Sequence, residues 1–463
     1  MLKTIAIVFA ACPLWAQALR VEAGLDSFRV WQQGSDGTAT IRLRGTADSP
    51  GKLEATVSVG SRKLKGWNRK VLAEKASGAW EASLALPAGG PYRIAVKLAG
   101  SGSAEATDIY VGDLWILAGQ SNMVGRALLA SAEAPDPHVH MMRPDDRWAI
   151  AEDPLHERRD TPRGPNGAGS GLAFAKEMYR RTGVPVGLIP CAVGGTSMDQ
   201  WDPGKRSEGR KSLYGNMLAR VSLAGGKVRG MLWYQGESDA TEKDSAVYRK
   251  KFESWIATMR RDLGSPSLPL YYAQLGRFAG EPYGSRVDAA WDAVRDAQLQ
   301  IESTVTATSM AATLDLELTD SIHVDTAGLQ RLGQRFAKLA CRDLYPGKCS
   351  GLEPGPRLKE VRWVASRQLR LSFTGVNGRL SAPDRVTGFS FSDGQRAIKP
   401  VSFRAWIPEG AGNEIALEMN LPLKLPAPLW LWYGRGFDPT ANLHDAEDLP
   451  LPAFGPVTVP PPQ

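Results

Sequence analysis

Four short segments of this chain hold residues whose types suit attack on a carbonyl carbon. The first is Gly119-Gln120-Ser121-Asn122-Met123. A serine in a tight turn can present its hydroxyl and its backbone N–H to one substrate atom, although such a segment also makes a good ordinary turn. The second is Asp320-Ser321-Ile322-His323. A serine nucleophile needs a base of near-neutral pKa and a group that fixes the tautomer of that base. An Asp and a His three residues apart can meet side by side, so one loop would deliver both; a helix-capping Asp beside an incidental His is the plainer alternative. The third, Gly194-Gly195-Thr196, would expose the Gly195 N–H with no side chain in the way, as an oxyanion hole requires, or be only a turn. The fourth, Gln235-Gly236-Glu237-Ser238-Asp239, offers the Gln235 side-chain N–H to the same oxyanion, while Glu237 could orient His323 or hold its loop together. The Gly-x-Ser-x-Gly elbow of another hydrolase class does not occur in the chain.

These segments can act together only if the fold brings them to one place. From about residue 110 the pattern alternates strand and helix. Leu114–Ala118 reads as a buried strand that ends at the Ser121 turn, and a helix over Gly171–Arg181 stops at Gly183. Strands follow at Val184–Val193, Val228–Tyr234, Leu268–Leu275 and Val305–Leu314. Between them lie a helix over Asp244–Leu263 (Val247, Phe252, Trp255, Ile256, Met259 and Leu263 inward), one over Val287–Glu302 and a closing helix over Asp325–Leu339. This alternation predicts a parallel sheet between helices, with sites at the C-terminal strand ends. Ahead of it, alternating runs such as Ala39–Arg44, Leu53–Val59 and Tyr92–Leu98 predict an all-β domain, and β patterns return in Leu369–Phe373, Gly388–Phe391, Glu414–Glu418 and Leu429–Tyr433. The expected organisation is a signal peptide at 1–18, a β domain at 19–108, the site-bearing domain at 109–350, and a β domain at 351–463 whose Pro-rich tail lies against the surface.

The 463 residues exceed one core, and the net charge of +7 is spread among acids with no basic run interleaved with aromatics, which excludes nucleic-acid binding. Lys3, the apolar stretch Thr4–Trp15 and Ala16-Gln17-Ala18 have the form of a cleavable export signal. No other segment is apolar enough to cross a membrane, so no membrane insertion is expected once the signal is removed. Cys341 and Cys349 bracket a Pro-Gly turn and could form a disulfide in an oxidising compartment; Cys191, ending an apolar run, reads as a buried free thiol.

Taken together, the blocks resemble the SGNH hydrolases, in particular the sialate O-acetylesterase and acetyl xylan esterase group. Gly119–Met123 is similar to that group's nucleophile block, Ile189–Thr196 continuing to Trp201 to its second, Trp233–Ser238 to its third, and Asp320–His323 to its fifth. Leu431–His444 and Leu449–Phe454 resemble the closing strand and tail of sialate O-acetylesterases. The resemblance implies a three-layer, flavodoxin-like α/β domain with a parallel sheet, flanked by N- and C-terminal all-β sandwich-like domains. It implies Ser121 as nucleophile, His323 as base, Asp320 or Glu237 as the orienting acid, and Ser121 N–H, Gly195 N–H and Gln235 around the oxyanion. Asn122 is an expected substrate contact, and Trp201 either lines the sugar pocket or is a core Trp at the base of its loop, whereas Arg126 and Arg163 read as solvated loop charges. No metal or cofactor is expected. The substrate would be an O-acetylated sugar, either a sialic acid or an acetylated plant polysaccharide. A non-catalytic glycan-binding relative would have lost Ser121 or His323, and a lipase or thioesterase would not carry the polar loop 126–168.

Overall fold

The computed structural model describes residues 19–156, 166–281, 287–392, 397–398, 402–420 and 428–461; the segment read as a signal peptide and Arg163 lie outside them. The chain divides into two compact units, Met1–Phe28 with Gly34–Val111, and Arg29–Gln33 with Gly112–Gln463.

The first unit is antiparallel β structure. Its central strand, Thr38–Val59, joins the two runs Ala39–Arg44 and Leu53–Val59 without a break. It pairs with Leu19–Ala23, Lys70–Pro87 and Gly89–Leu98. Side chains alternate across it: Ile41, Leu43 and Val57 are buried, while Arg42 and Arg44 face water.

In the second unit five parallel strands carry the site. They are β1 (Gly102–Gly119, belonging here from Gly112 onward), β2 (Val186–Pro190), β3 (Gly230–Tyr234), β4 (Leu270–Ala273) and β5 (Thr308–Ala311). Their spatial order is β2-β1-β3-β4-β5. Strand order therefore reverses between β1 and β3, and in such sheets the ligand crevice opens beyond the C-terminal ends of the strands flanking that reversal. The connecting helices are α1 (Ser170–Thr182), α2 (Leu213–Leu223), α3 (Glu242–Asp262), α4 (Asp288–Thr304) and α5 (Thr326–Leu344).

Because neighbouring side chains on a strand point to opposite faces, alternate residues seed two cores. Leu232 packs in a cluster with Leu172 and Phe174 of α1 and Leu332 and Phe336 of α5. Trp233 instead meets Phe252 and Trp255 of α3 and Trp201. Helix α3 buries Tyr248, Phe252, Trp255, Ile256 and Met259, but Val247 is exposed and Leu263 only half-buried. The four-residue step back from Phe252 lands on Tyr248, which takes the core position expected for Val247. Helix α2 was not legible in the sequence; Ser212 caps it by accepting from Gly215 N–H at 3.1 Å.

A disulfide joins Cys341, in the last turn of α5, to Cys349 beyond the helix, and among the described residues two four-stranded antiparallel sheets follow. They share a core that includes Leu371, Phe373, Leu417, Phe391, Leu431 and Phe454. Phe454–Val459 pairs with Leu429–Tyr433, so this part of the tail is a strand and not a surface strap. Among the described residues no helix is long and apolar enough to cross a membrane.

Candidate active site

The Ser121 turn is shaped by close contact between β1 and β3. Gly119 has φ +127°, and a Cβ there would sit 2.2 Å from Tyr234 O, so only glycine lets the two strand ends approach. Gln120 N–H donates to Tyr234 O at 2.8 Å, and the chain enters one helical turn, Ser121–Val124. Ser121 is half-buried. Gly194, after β2, lies against it: a Cβ on Gly194 would be 3.6 Å from Ser121 Cβ. Gly195 is exposed at φ +73° and its missing side chain would point into open space. Among the described residues neither the Ser121 N–H nor the Gly195 N–H donates a hydrogen bond.

The second turn, after β5, is held by its own carboxylate. Asp320 Oδ2 lies 2.7 Å from His323 Nδ1, while Oδ1 accepts the N–H groups of Ile322 and His323, both at 2.8 Å. Thr319 N–H donates to His323 O at 2.7 Å. The His323 side chain is 4% exposed and that of Asp320 47%, so the imidazole is sheltered while its acid faces water. Partial burial by itself would raise the Asp320 carboxyl, but the hydrogen bonds from the His323 side chain and from the Ile322 and His323 N–H groups outweigh it and hold the group below its ordinary range.

Asn122 ties the two turns together. Its Nδ2 donates to Ile322 O at 3.2 Å and to Glu237 Oε1 at 2.7 Å, and its Oδ1 accepts from Val324 N–H at 3.0 Å. The neighbour of Ser121 thus grips the chain on both sides of His323. Asn122 is 2% exposed and fully engaged in this tie, so it is a strut and not a substrate contact. Glu237, also 2% exposed, reaches His323 through Asn122; Asp320 is the carboxylate on Nδ1.

Two further expectations are corrected by packing. Gln235 is fully buried, and its Nε2 points at Asp239 Oδ2 (2.5 Å), Thr196 O (3.1 Å) and Gln120 Oε1 (3.3 Å). With its two protons facing three acceptors, it joins the first, third and fourth segments and has no donor left for an oxyanion. Trp201 is 0% exposed, its Nε1 donates to Thr196 Oγ1 at 3.0 Å, and its ring meets Trp233 and Trp255. It supports the Gly194–Thr196 loop from inside the core and does not line a sugar pocket.

One residue was not singled out from the sequence. Asp239, 1% exposed, accepts from Gln235 and from Met198 N–H at 2.9 Å, and burial pushes its carboxyl up to about 6. The signal available was its place four residues after Gln235 on the same loop. Cys191 is buried and free, and burial pushes its thiol up to about 11, which removes it as a nucleophile. His138 also meets a carboxylate, Asp136 at 3.0 Å, but it precedes the strand Val139–Met142 at the N-terminal edge of the sheet, away from Ser121. Arg126 is half-buried on the segment after the Ser121 turn, 3.4 Å from Asn166 Oδ1. Among the described residues no group of three or more His, Cys, Asp or Glu side chains is arranged to hold a metal ion.

Similarity to known proteins falls on the same region. The family model described as carbohydrate esterase, sialic acid-specific acetylesterase, matches residues 111–342. A probable carbohydrate esterase of Arabidopsis thaliana is 32% identical over 247 residues, covering 49% of this chain and 88% of that protein. The crystal structure of a carbohydrate acetylesterase from Xanthomonas citri aligns with a TM-score of 0.67 at 26% identity, over 94% of this chain and 99% of that one.

Proposed function

The chain belongs to the sialic acid-specific acetylesterase family of carbohydrate esterases, and from that premise we propose that it hydrolyses acetyl esters on sugars by a serine mechanism. Asp320 holds the His323 tautomer that carries its proton on Nδ1, which makes Nε2 the ring's proton acceptor. Ser121 Oγ attacks the acetyl carbonyl as His323 takes the hydroxyl proton. Charge gathers on the carbonyl oxygen, where the N–H groups of Ser121 and Gly195 supply the donors. His323 then returns its proton to the departing sugar oxygen, leaving acetyl-Ser121. Water, deprotonated by the same imidazole, releases acetate and restores the serine.

The observation that carries this reading is the Asn122 tie, which links the residue after Ser121 to both neighbours of His323 while Asp320 sits on Nδ1. The family favours an O-acetylated sialic acid as substrate. Export fits the same reading, because the Cys341–Cys349 disulfide suits an oxidising compartment. The test is p-nitrophenyl acetate hydrolysis by wild type and Ser121→Ala, followed by acetate release from O-acetylated sialic acid and from acetylated xylan. Turnover by wild type that is lost in Ser121→Ala supports the mechanism, and equal rates refute it. Release from xylan alone would move the substrate class to plant polysaccharide.

A further inference from the structure

The loop that leaves β4 lies between the C-terminal β region and the His323 turn. On one side Phe278 N–H donates to Phe437 O at 2.8 Å; on the other Ala279 N–H donates to Ser321 O, also at 2.8 Å. Ser321 stands between Asp320 and His323 in the chain. The side chain of Arg277 spans the same gap. Its Nη1 donates to Asp438 Oδ1 at 3.2 Å, and its Nη2 donates to Leu316 O at 3.2 Å and to Glu317 Oε2 at 2.9 Å. Residues 316–319 are the foot of the catalytic turn, where Glu317 O accepts from Asp325 N–H and Thr319 N–H donates to His323 O.

The far end of this clasp is anchored. Phe437 N–H donates to Asp288 Oδ1 at 2.9 Å and Gly436 N–H to Asp292 Oδ1 at 2.8 Å, both acceptors lying in the first turns of α4. Arg295 of the same helix is 1% exposed and donates to Gly434 O at 3.1 Å, to Leu275 O at 3.0 Å and to Gly276 O at 2.6 Å. One buried guanidinium therefore holds both the C-terminal turn and the root of the Arg277 loop. Trp291 Nε1 donates to Gly276 O at 2.8 Å, and its ring stacks on Phe278.

We propose that Arg277 is a positioning residue for His323, and that the Gly434–Asp438 turn of the C-terminal β region acts through it as part of the esterase apparatus. The proposal rests on the esterase reading above. The Asp320–His323 turn faces water on one side, and its foot is held by the buried Leu316, by backbone bonds and by this clasp. Small displacements of a base cost rate steeply, because proton transfer needs an aligned contact. Arg is suited to the task because its planar fork can hold a carboxylate and a carbonyl in fixed relative positions.

The experiment uses the full-length protein with Arg277→Gln, Arg277→Lys, Asp438→Asn and the Gln/Asn double variant. Steady-state kinetics are read beside the downfield proton resonance of His323 Nδ1–H, which reports the Asp320 contact without turnover. Arg277→Gln is expected to lower kcat roughly tenfold or more with KM nearly unchanged, and to broaden the resonance. Arg277→Lys should recover part of both. The double variant should lose no more than Arg277→Gln alone, since both changes break one connection. Wild-type kcat and an unchanged resonance in Arg277→Gln would overturn the proposal. Should that variant not fold, Asp438→Asn decides by the same two readouts, because it alters a side chain that is 45% exposed. A wild type without esterase turnover refutes the esterase reading, while the resonance still decides whether Arg277 positions His323.

Discussion

Replacing Asp320 by Asn should damage the enzyme more than removing the side chain altogether. The carboxylate has two separate duties: Oδ1 accepts two backbone N–H groups at 2.8 Å, and Oδ2 accepts from His323 Nδ1 at 2.7 Å. An asparagine can satisfy one duty with its oxygen and must place its NH2 on the other. Facing the two N–H groups with NH2 would oppose donors twice; facing His323 opposes a donor once. The oxygen therefore stays on Ile322 and His323 N–H, and the NH2 points at Nδ1, which selects the imidazole tautomer with its proton on Nε2. That tautomer cannot accept the Ser121 proton, and such an error costs roughly 10³–10⁴ in kcat. In Asp320→Ala the site is open to solvent, since 47% of the Asp320 side chain is exposed. Water can then accept from Nδ1 and the correct tautomer survives, so the loss is looseness alone, roughly tenfold to a hundredfold. The assay is kcat for p-nitrophenyl acetate on the alkaline plateau, with Glu237→Gln as comparison. Glu237 acts through Asn122, so its neutral isostere should fall less than Asp320→Asn. An Asn variant as active as the Ala variant, or a Glu237→Gln loss exceeding both, would refute the reasoning.

Two other substitutions address residues whose roles changed. Trp201→Phe should lower stability by about 1–3 kcal/mol, from lost packing and the lost bond to Thr196, and leave KM within about twofold; a large KM rise at unchanged Tm would return Trp201 to the substrate pocket. Asp239→Asn bears on pH. Burial lifts the Asp239 carboxyl to about 6 in the folded chain, above its ordinary value, so the stability it contributes is full below the ordinary carboxylate range and lost as pH rises through about 6. Between about pH 4.5 and about pH 7.5 wild type should lose roughly 2 kcal/mol through this group, and the variant should not. Denaturant midpoints at the two pH values measure the difference, and parallel curves for the two proteins would count against a buried, titrating Asp239.

The alternation of strand and helix was legible because each parallel strand is a short apolar run buried on both faces, as Val186–Pro190 and Gly230–Tyr234 are. Boundaries were blurred where the apolar run continued past the strand: Val184–Val193 read as strand, while the regular ladder covers Val186–Pro190 and single backbone bonds from Cys191 and Val193 extend beyond it. Helix α2 was missed because the polar, glycine-broken stretch Pro203–Lys211 precedes it and hides its periodicity. The strand Phe454–Val459 was hidden by its proline, which an edge strand tolerates because one side needs no donor.

The site divides along a different line. Ser121, Gly195, Asp320 and His323 could be nominated from residue type, because nucleophile, open N–H, acid and base are distinct chemistries. Gln235, Asn122 and Glu237 could not be sorted that way. A polar side chain at a strand end can serve a substrate or serve its neighbours, and its type is the same in both cases. What separates the two is whether its donors and acceptors are already used. Gln235 has two protons and three facing acceptors, and Asn122 has a partner for each of its ends, so both are committed before any substrate arrives. The Ser121 and Gly195 N–H groups are uncommitted among the described residues. An oxyanion hole must hold donors that folding leaves unspent, because a donor already paired would have to break a bond as the charge develops. The buried polar residues around those two amides therefore contribute by keeping them in place: Gln235 fixes the Thr196 carbonyl beside Gly195, and Asn122 fixes the chain beside His323.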